Sequence, residues 1–259
     1  MALVDNMLDE MDRLEAVFVG DLESVLSAAM DETMVNLRQT HLPGLLPPTF
    51  RKSIIQQLSA IWLATTQTFS TLMAEHFEDA FKHLAQKQVQ AEIVSRIVNQ
   101  YIESFGAEKA AQIIRTTEIQ MRNLVLGGML QGQAQEAVFS RIVNKIPGLA
   151  KARAEIITRT EVHSVGQFAS QKMAEQARIR LVKVWHTVGD ARVRTFGIFG
   201  RKDQFNHRIM NGIAISLDQP FRVPTRAGGF EPLLFPGHPI GSPGNVINCR
   251  CVQTYEKAS

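Results

Sequence analysis

Apolar residues recur at three- and four-residue spacing through the first two-thirds of the chain and lose that spacing after Arg178. Residues 2–40 predict one amphipathic helix or two, with Asp21 placed to cap a second after Gly20. Pro43, Gly44, Pro47 and Pro48 break the pattern, and Thr49 can cap the next helix. From Phe50 to Phe105 the stripe of Ile54, Leu58, Trp62, Phe69, Met73, Phe77, Phe81, Ile93, Ile97 and Tyr101 meets no Gly or Pro. An unbroken helix there would be roughly 80 Å long; a bend near Gln86–Gln90 is the alternative. Gly106 predicts a helix end, with helices over 107–126, 135–146 and 150–177 beyond it, the first closed by Gly127-Gly128 and the second by Pro147-Gly148. Ala111–Glu118 and Ala154–Glu161 share an Ile-Ile step and a closing Thr-Glu, which fits an old duplication or chance.

After Arg178 the period shortens. Leu181–Trp185 reads as a strand followed by a turn at Gly189-Asp190. Lys202–Met210 predicts a short helix closed by Asn211-Gly212, then short strands over 213–217 and 221–223. Residues 224–245, rich in Pro and Gly, predict an ordered loop, and 247–255 a terminal strand. The expected fold class is α+β. A long helical N-terminal arm (1–106) is followed by helices (107–178) packed on a small antiparallel sheet with long ordered loops (179–259).

Composition changes this picture in one respect. Net charge is +3, yet residues 1–32 hold nine acidic side chains against one basic, and residues 178–259 hold twelve basic against five acidic. The ends either attract each other or meet different partners, non-specific DNA among them for the basic end. No apolar run is long enough for a membrane span and no signal pattern opens the chain, so no membrane partner is expected.

Candidate chemistry gathers at the C-terminal end. Cys249 and Cys251 are the chain's two cysteines, and His186, His207 and His238 lie in the same segment. A bridge across Cys-x-Cys would be strained. Thiolates and imidazole are zinc ligands, so His207, Cys249 and Cys251 can hold a structural zinc, with His186, Asp190 or His238 as the fourth donor. The competing reading is a hydrogen-bonded polar core in which Asp190 pairs with Arg192, Arg194 or Arg250. A Cys/His nucleophile or a metal-dependent enzyme finds little support. No Gly-rich turn flanks either cysteine, and the carboxylates are scattered.

Six segments in order carry a resemblance. They are Ile157-Thr158-Arg159-Thr160-Glu161-Val162, Lys183-Val184-Trp185, Gly189-Asp190-Ala191-Arg192-Val193-Arg194, His207 with Asn211-Gly212, Phe235-Pro236-Gly237-His238-Pro239, and Val246-Ile247-Asn248-Cys249-Arg250-Cys251. Over about residues 107–255 the chain resembles the Mu F-like minor head proteins of tailed bacteriophages, the head-morphogenesis domain family. The chain departs from the pattern in a longer spacer between Arg194 and His207, and in His238 where an acidic residue is expected. The resemblance implies a minor capsid protein in the capsid interior or near the portal, made in the host cytoplasm and present in multiple copies per virion. Its implied partners are the portal protein and other head or scaffold proteins, and its implied work is head assembly by binding, with a part in DNA packaging or ejection. It implies no established reaction, and it makes Arg159, Thr160, Glu161, Trp185, Asp190, Arg192, Arg194, Asn211, Gly212, Pro236, Gly237, Asn248 and Arg250 a structural polar core. Arg159 or Glu161 is expected to join the helical part to the C-terminal module through a salt bridge. Two rivals stand beside this reading: a DNA-binding internal protein ejected with the genome, and a hydrolase or transferase using His207 with Cys249 or Cys251.

Overall fold

A computed structural model describes residues 2–40, 46–82, 87–131, 135–177, 179–189, 193, 205–226 and 228–258. Its helices are α1 (Ala2–Thr40), α2 (Pro48–His76), α3 (Glu78–Phe81), α4 (Lys87–Tyr101), α5 (Ala107–Leu130), α6 (Gln135–Val143), α7 (Ile146–Ala174) and α8 (Pro243–Val246). Its strands are β1 (Leu181–His186), β2 (Ala214–Ser216), β3 (Phe221–Pro224), β4 (Phe230–Leu233) and β5 (Val252–Lys257). The protein is therefore helix-rich, with a long N-terminal helix and a small open antiparallel sheet amid long loops.

Several boundaries differ from the periodicity, each for a local reason. α1 runs straight through Gly20, because one exposed glycine costs a helix only about 1 kcal/mol while Leu14, Leu22 and Leu26 on either side are buried. α5 likewise continues through the glycines at 127 and 128 to Leu130. The long stripe breaks first at Phe77 (φ −114°, ψ 46°), although Phe77 is neither Gly nor Pro; of the expected bend near Gln86–Gln90, Gln86 lies outside the described residues and residues 87–90 open α4. The Phe77 ring lies edge-on to Phe81 and Tyr255, both at 6.5 Å. Gly106 closes a single π-helical turn (Ile102–Gly106) that leads directly into α5. Pro147 opens α7 instead of closing α6, since a proline in the first turn lacks only an N–H that has no helical acceptor. β4 escaped the pattern because it contains Pro232, which a strand with one neighbour tolerates.

The described chain forms two compact units, built from residues 1–14, 62–101 and 159–259, and from residues 15–61 and 102–158. The division at residue 106/107 follows resemblance along the sequence, whereas the units follow packing in space.

In the second unit the apolar faces of α1, α2, α5 and α6 supply Leu22, Leu26, Met30, Ile54, Leu58, Met121 and Ile142 to the core. Arg153 of α7 reaches α5, where it donates to Thr117 Oγ1 at 2.7 Å and to the Ile113 carbonyl at 2.8 Å. Burial pulls its guanidinium down to about 10.

The first unit is organised by the C-terminal half of α7. Every residue from Thr160 to Gln171 is buried, although seven of these twelve are polar. A helix with no solvent face has no amphipathic stripe, and its polar side chains must find partners within the protein. They find them in two directions. Toward α2 and α4, Trp62 Nε1 donates to Glu161 Oε2 at 3.0 Å, and Trp62, Tyr101 and Phe168 stack edge-to-face at 5.6 and 5.3 Å. Toward the sheet, Gln167 Oε1 accepts the Gln253 N–H at 2.8 Å, and Gln171 donates to the Leu217 carbonyl at 3.0 Å. The sheet has the order β2-β1-β5, antiparallel throughout, with Val184 opposite both Ala214 and Thr254. β3 and β4 form a separate hairpin.

Lys183 of β1 is fully buried, donates to the Leu217 and Leu234 carbonyls at 2.8 Å each, and lies 5.4 Å from the Phe221 ring centre. Burial pulls its ammonium down to about 8, against the pull of Glu175 and Asp218 in the other direction. An unfolded lysine titrates near 10.4. Between those two values the unfolded chain binds more protons, so stability is expected to rise with pH across that window. Urea melts at about pH 7.5 and 9.5 should show that rise in the parent and a flatter dependence in Lys183→Met. Equal dependence in both would contradict the assignment.

Candidate metal centre

The C-terminal segment turns three times in ways its residue types dictate. Phe235–His238 is a type II turn closed by His238 N–H to the Phe235 carbonyl at 3.1 Å, with Pro236 at the second position and Gly237 (φ 75°) at the third. Val246–Cys249 is another. Ile247 (φ −65°, ψ 129°) precedes Asn248 at φ 57°, the one described non-glycine residue in the left-handed region, and the Cys249 N–H closes on the Val246 carbonyl at 3.2 Å. Asn tolerates that region better than most residues. At Asn211-Gly212, the Asn211 side chain accepts the Thr187 N–H at 2.9 Å, and Gly212 (φ 80°) donates to the Trp185 carbonyl at 2.8 Å.

α7 clamps the first two turns. Ser164 Oγ donates to the Gly237 carbonyl at 2.7 Å, and His163 Nε2 lies 2.6 Å from the Cys251 carbonyl. Thr160 Oγ1 accepts the Asn248 N–H at 3.2 Å, and Arg159 donates to Asn248 Oδ1 at 3.4 Å.

These turns bring Cys249 and Cys251 together with His207, which precedes a 3₁₀ turn at Arg208–Met210. The ligand atoms of the three residues all lie within 4.8 Å of one another. His207 Nδ1 stands 3.6 Å from each sulfur, and all three side chains are 2% exposed or less. Around them pack Trp185, Met210, Phe221, Val223 and Leu233, with the Trp185 ring edge-on to His207 at 5.7 Å. The Cys251 thiol hydrogen-bonded to the Cys249 sulfur holds Cys249 well below the ordinary thiol range; burial opposes it, and the nearby His207 and His163 rings add to it. Two sulfurs, one readily ionised, and an imidazole nitrogen form a donor set suited to a soft or borderline divalent ion. Sulfurs buried to this degree are poorly placed to attack a substrate.

The remaining candidates are distributed around this centre. His186 faces Thr254 Oγ1 at 2.7 Å, while His238 Nδ1 accepts the Leu234 N–H at 3.4 Å and its ring lies on Phe235. Neither joins the three donors. Asp190, Arg192 and Arg194 lie outside the described residues, as does the turn at 189–190 beyond Gly189. Arg250 pairs with Asp12 of α1 at 3.1 Å, so acidic and basic ends of the sequence meet at one exposed ion pair. Glu161 accepts from Trp62, and Arg159 donates to Asn248.

Sequence reasoning missed His163, Glu231 and Asn245. Asn245 is fully buried and places Oδ1 2.8 Å from His207 Nε2. Its Nδ2 donates to the Pro224 carbonyl at 2.9 Å and to Glu231 Oε1. A lone asparagine after Pro-Gly carries no chemical signature along the chain.

Small helical and sheet elements whose loops are pinned by buried polar side chains belong here to a phage head-morphogenesis domain. Residues 119–254 match the family of phage Mu protein F like proteins, and with more than half of the chain matched the protein belongs to that family. No curated protein and no solved structure matches the chain significantly. The expected resemblance and α+β class are borne out, and a head-morphogenesis family agrees with placement in preference to turnover. Among the described residues no helix is long and apolar enough to cross a membrane.

Proposed function

We propose that this chain is a minor head protein that acts in procapsid assembly by binding the portal, in multiple copies, in the capsid interior or beside the portal. In this reading residues 1–106 supply the docking surface, the Mu F-like part from 107 onward supplies the family-defining body, and zinc held by His207, Cys249 and Cys251 staples that body. Zinc supplies no reaction here. Bound there, it would tie residue 207 to residues 249 and 251 and so close the long segment between them. The observation that carries the assembly role is family membership over 119–254. Support for the docking surface comes from α1, where Asp5, Asp9, Asp21, Asp31 and Glu32 are exposed on one long helix.

The test is co-expression of the full chain with the portal protein of the same phage. The portal is expected to co-purify with the parent chain. Changing Asp5, Asp9, Asp21 and Asp31 together to Asn, while leaving Asp12 to its Arg250 pair, should reduce the co-purified portal about tenfold, a difference of about 1.4 kcal/mol. Equal recovery with both chains would remove α1 from the interface. No recovery with either would remove the portal as partner.

A further inference from the structure

The geometry points to Asn245 as the residue that sets the tautomer of His207 and thereby turns the bare Nδ1 toward the two sulfurs. The consequence for zinc affinity rests on the metal reading above; the tautomer itself does not.

Donors and acceptors on either side fix the orientation of the amide. The Asn245 amide has one end that donates and one that accepts. Its neighbours on one side are the Pro224 carbonyl oxygen and Glu231 Oε1, which accept. The amide nitrogen therefore faces them, and the amide oxygen faces His207 Nε2 at 2.8 Å. An oxygen in that place accepts, so Nε2 carries the hydrogen. A neutral imidazole has only one, which leaves the Nδ1 lone pair 3.6 Å from both sulfurs.

The amide is held from behind. Glu231 Oε2 accepts the Ser242 N–H at 3.0 Å and Oε1 accepts the Ser242 hydroxyl at 3.1 Å, so the carboxylate is anchored at the start of α8. Two strands converge on this α8 side chain: Pro224 from β3 and Glu231 from β4. In the opposite tautomer the Nδ1 hydrogen would point at the sulfurs, and the ring would offer a metal nothing. Partners of this kind behind a ligating histidine are worth about 10–100-fold in metal affinity.

The test uses the full chain, reduced and metal-free. Long-range ¹⁵N–¹H spectra of the histidine rings are expected to show His207 with hydrogen on Nε2 alone. Asn245→Leu should give mixed or Nδ1–H tautomers and lower zinc affinity, read by competition with a chelator, about 10–100-fold. The double change Asn245→Asp with Glu231→Gln exchanges amide and carboxylate between the two positions. It keeps an acceptor at Nε2 and should recover the tautomer, although the Pro224 carbonyl loses its donor. If Asn245→Leu does not fold, Asn245→Ala takes its place, since it too removes the acceptor at Nε2 and should mix the tautomers. Hydrogen on Nδ1 in the parent chain would overturn the assignment, as would Asn245→Leu, or Asn245→Ala in its stead, with an unchanged ring spectrum and unchanged affinity. A parent chain with hydrogen on Nε2 that takes up no zinc would uphold the role of Asn245 and remove the metal from the proposed function.

Discussion

Stripping metal from the full-length protein with a chelator is expected to lower its melting temperature by roughly 5–11 °C. Saturation of a site at about a hundred times its dissociation constant contributes about 2.7 kcal/mol, and each kcal/mol moves a chain of this size by about 2–4 °C. Cys249→Ser should start near the stripped value and show no further response to chelator. The contrast with a metal-free polar core is one of pattern. There, a buried Cys→Ser change costs about 1–2 kcal/mol by itself, and the parent melt ignores chelator altogether. A chelator-sensitive parent beside an insensitive Cys249→Ser therefore separates the two cases in one set of thermal scans. Restoring zinc to the stripped parent should return the melt to its starting point.

Gly237→Ala is expected to be among the most damaging single-methyl changes in the molecule, costing about 2–5 kcal/mol. Two effects add. Gly237 sits at φ 75°, where an L-residue costs about 1–2 kcal/mol. A Cβ there would lie 2.4 Å from His163 Nδ1, so the imidazole must move. That ring holds the Cys251 carbonyl at 2.6 Å, and leaving a buried acceptor without its donor costs about 1–3 kcal/mol. Gly228→Ala is the control. It has φ 81° with nothing within 4 Å of its Cβ, and should lose only the backbone part. Urea melts of the two variants check this. Equal losses would mean that the clamp of α7 on the 235–238 turn contributes nothing.

Much of the fold was legible in the sequence, for physical reasons that can be named. α1 was readable because burial follows one period along it. β1 and β5 were placed within a few residues by their β-branched and aromatic content and by the turns flanking them. What escaped was decided by neighbours distant in sequence. The buried half of α7 has no stripe to read, because α2, α4, β5 and the 235–251 loops surround it. The break at Phe77 follows ring packing, since the sequence there contains no breaker. β4 was hidden by Pro232, which only the absence of a second neighbouring strand permits.

The candidate site divides the same way. His207, Cys249 and Cys251 could be grouped from residue type alone, because thiol and imidazole are rare and chemically distinctive. Their company could not. Asn245, Glu231 and His163 are common residues whose roles arise from where the turns at 237 and 248 place them. The glycine and asparagine at those turns were visible as motif positions, but not as the hinges that bring α7 against both cysteines.

Native mass spectrometry of the full-length protein, purified reduced and supplied with zinc, tests the stapled C-terminal body most directly. One zinc ion per chain is the predicted mass, with none retained by His207→Ala or Cys249→Ser. A parent chain that stays zinc-free, folded and equally stable under these conditions would contradict it.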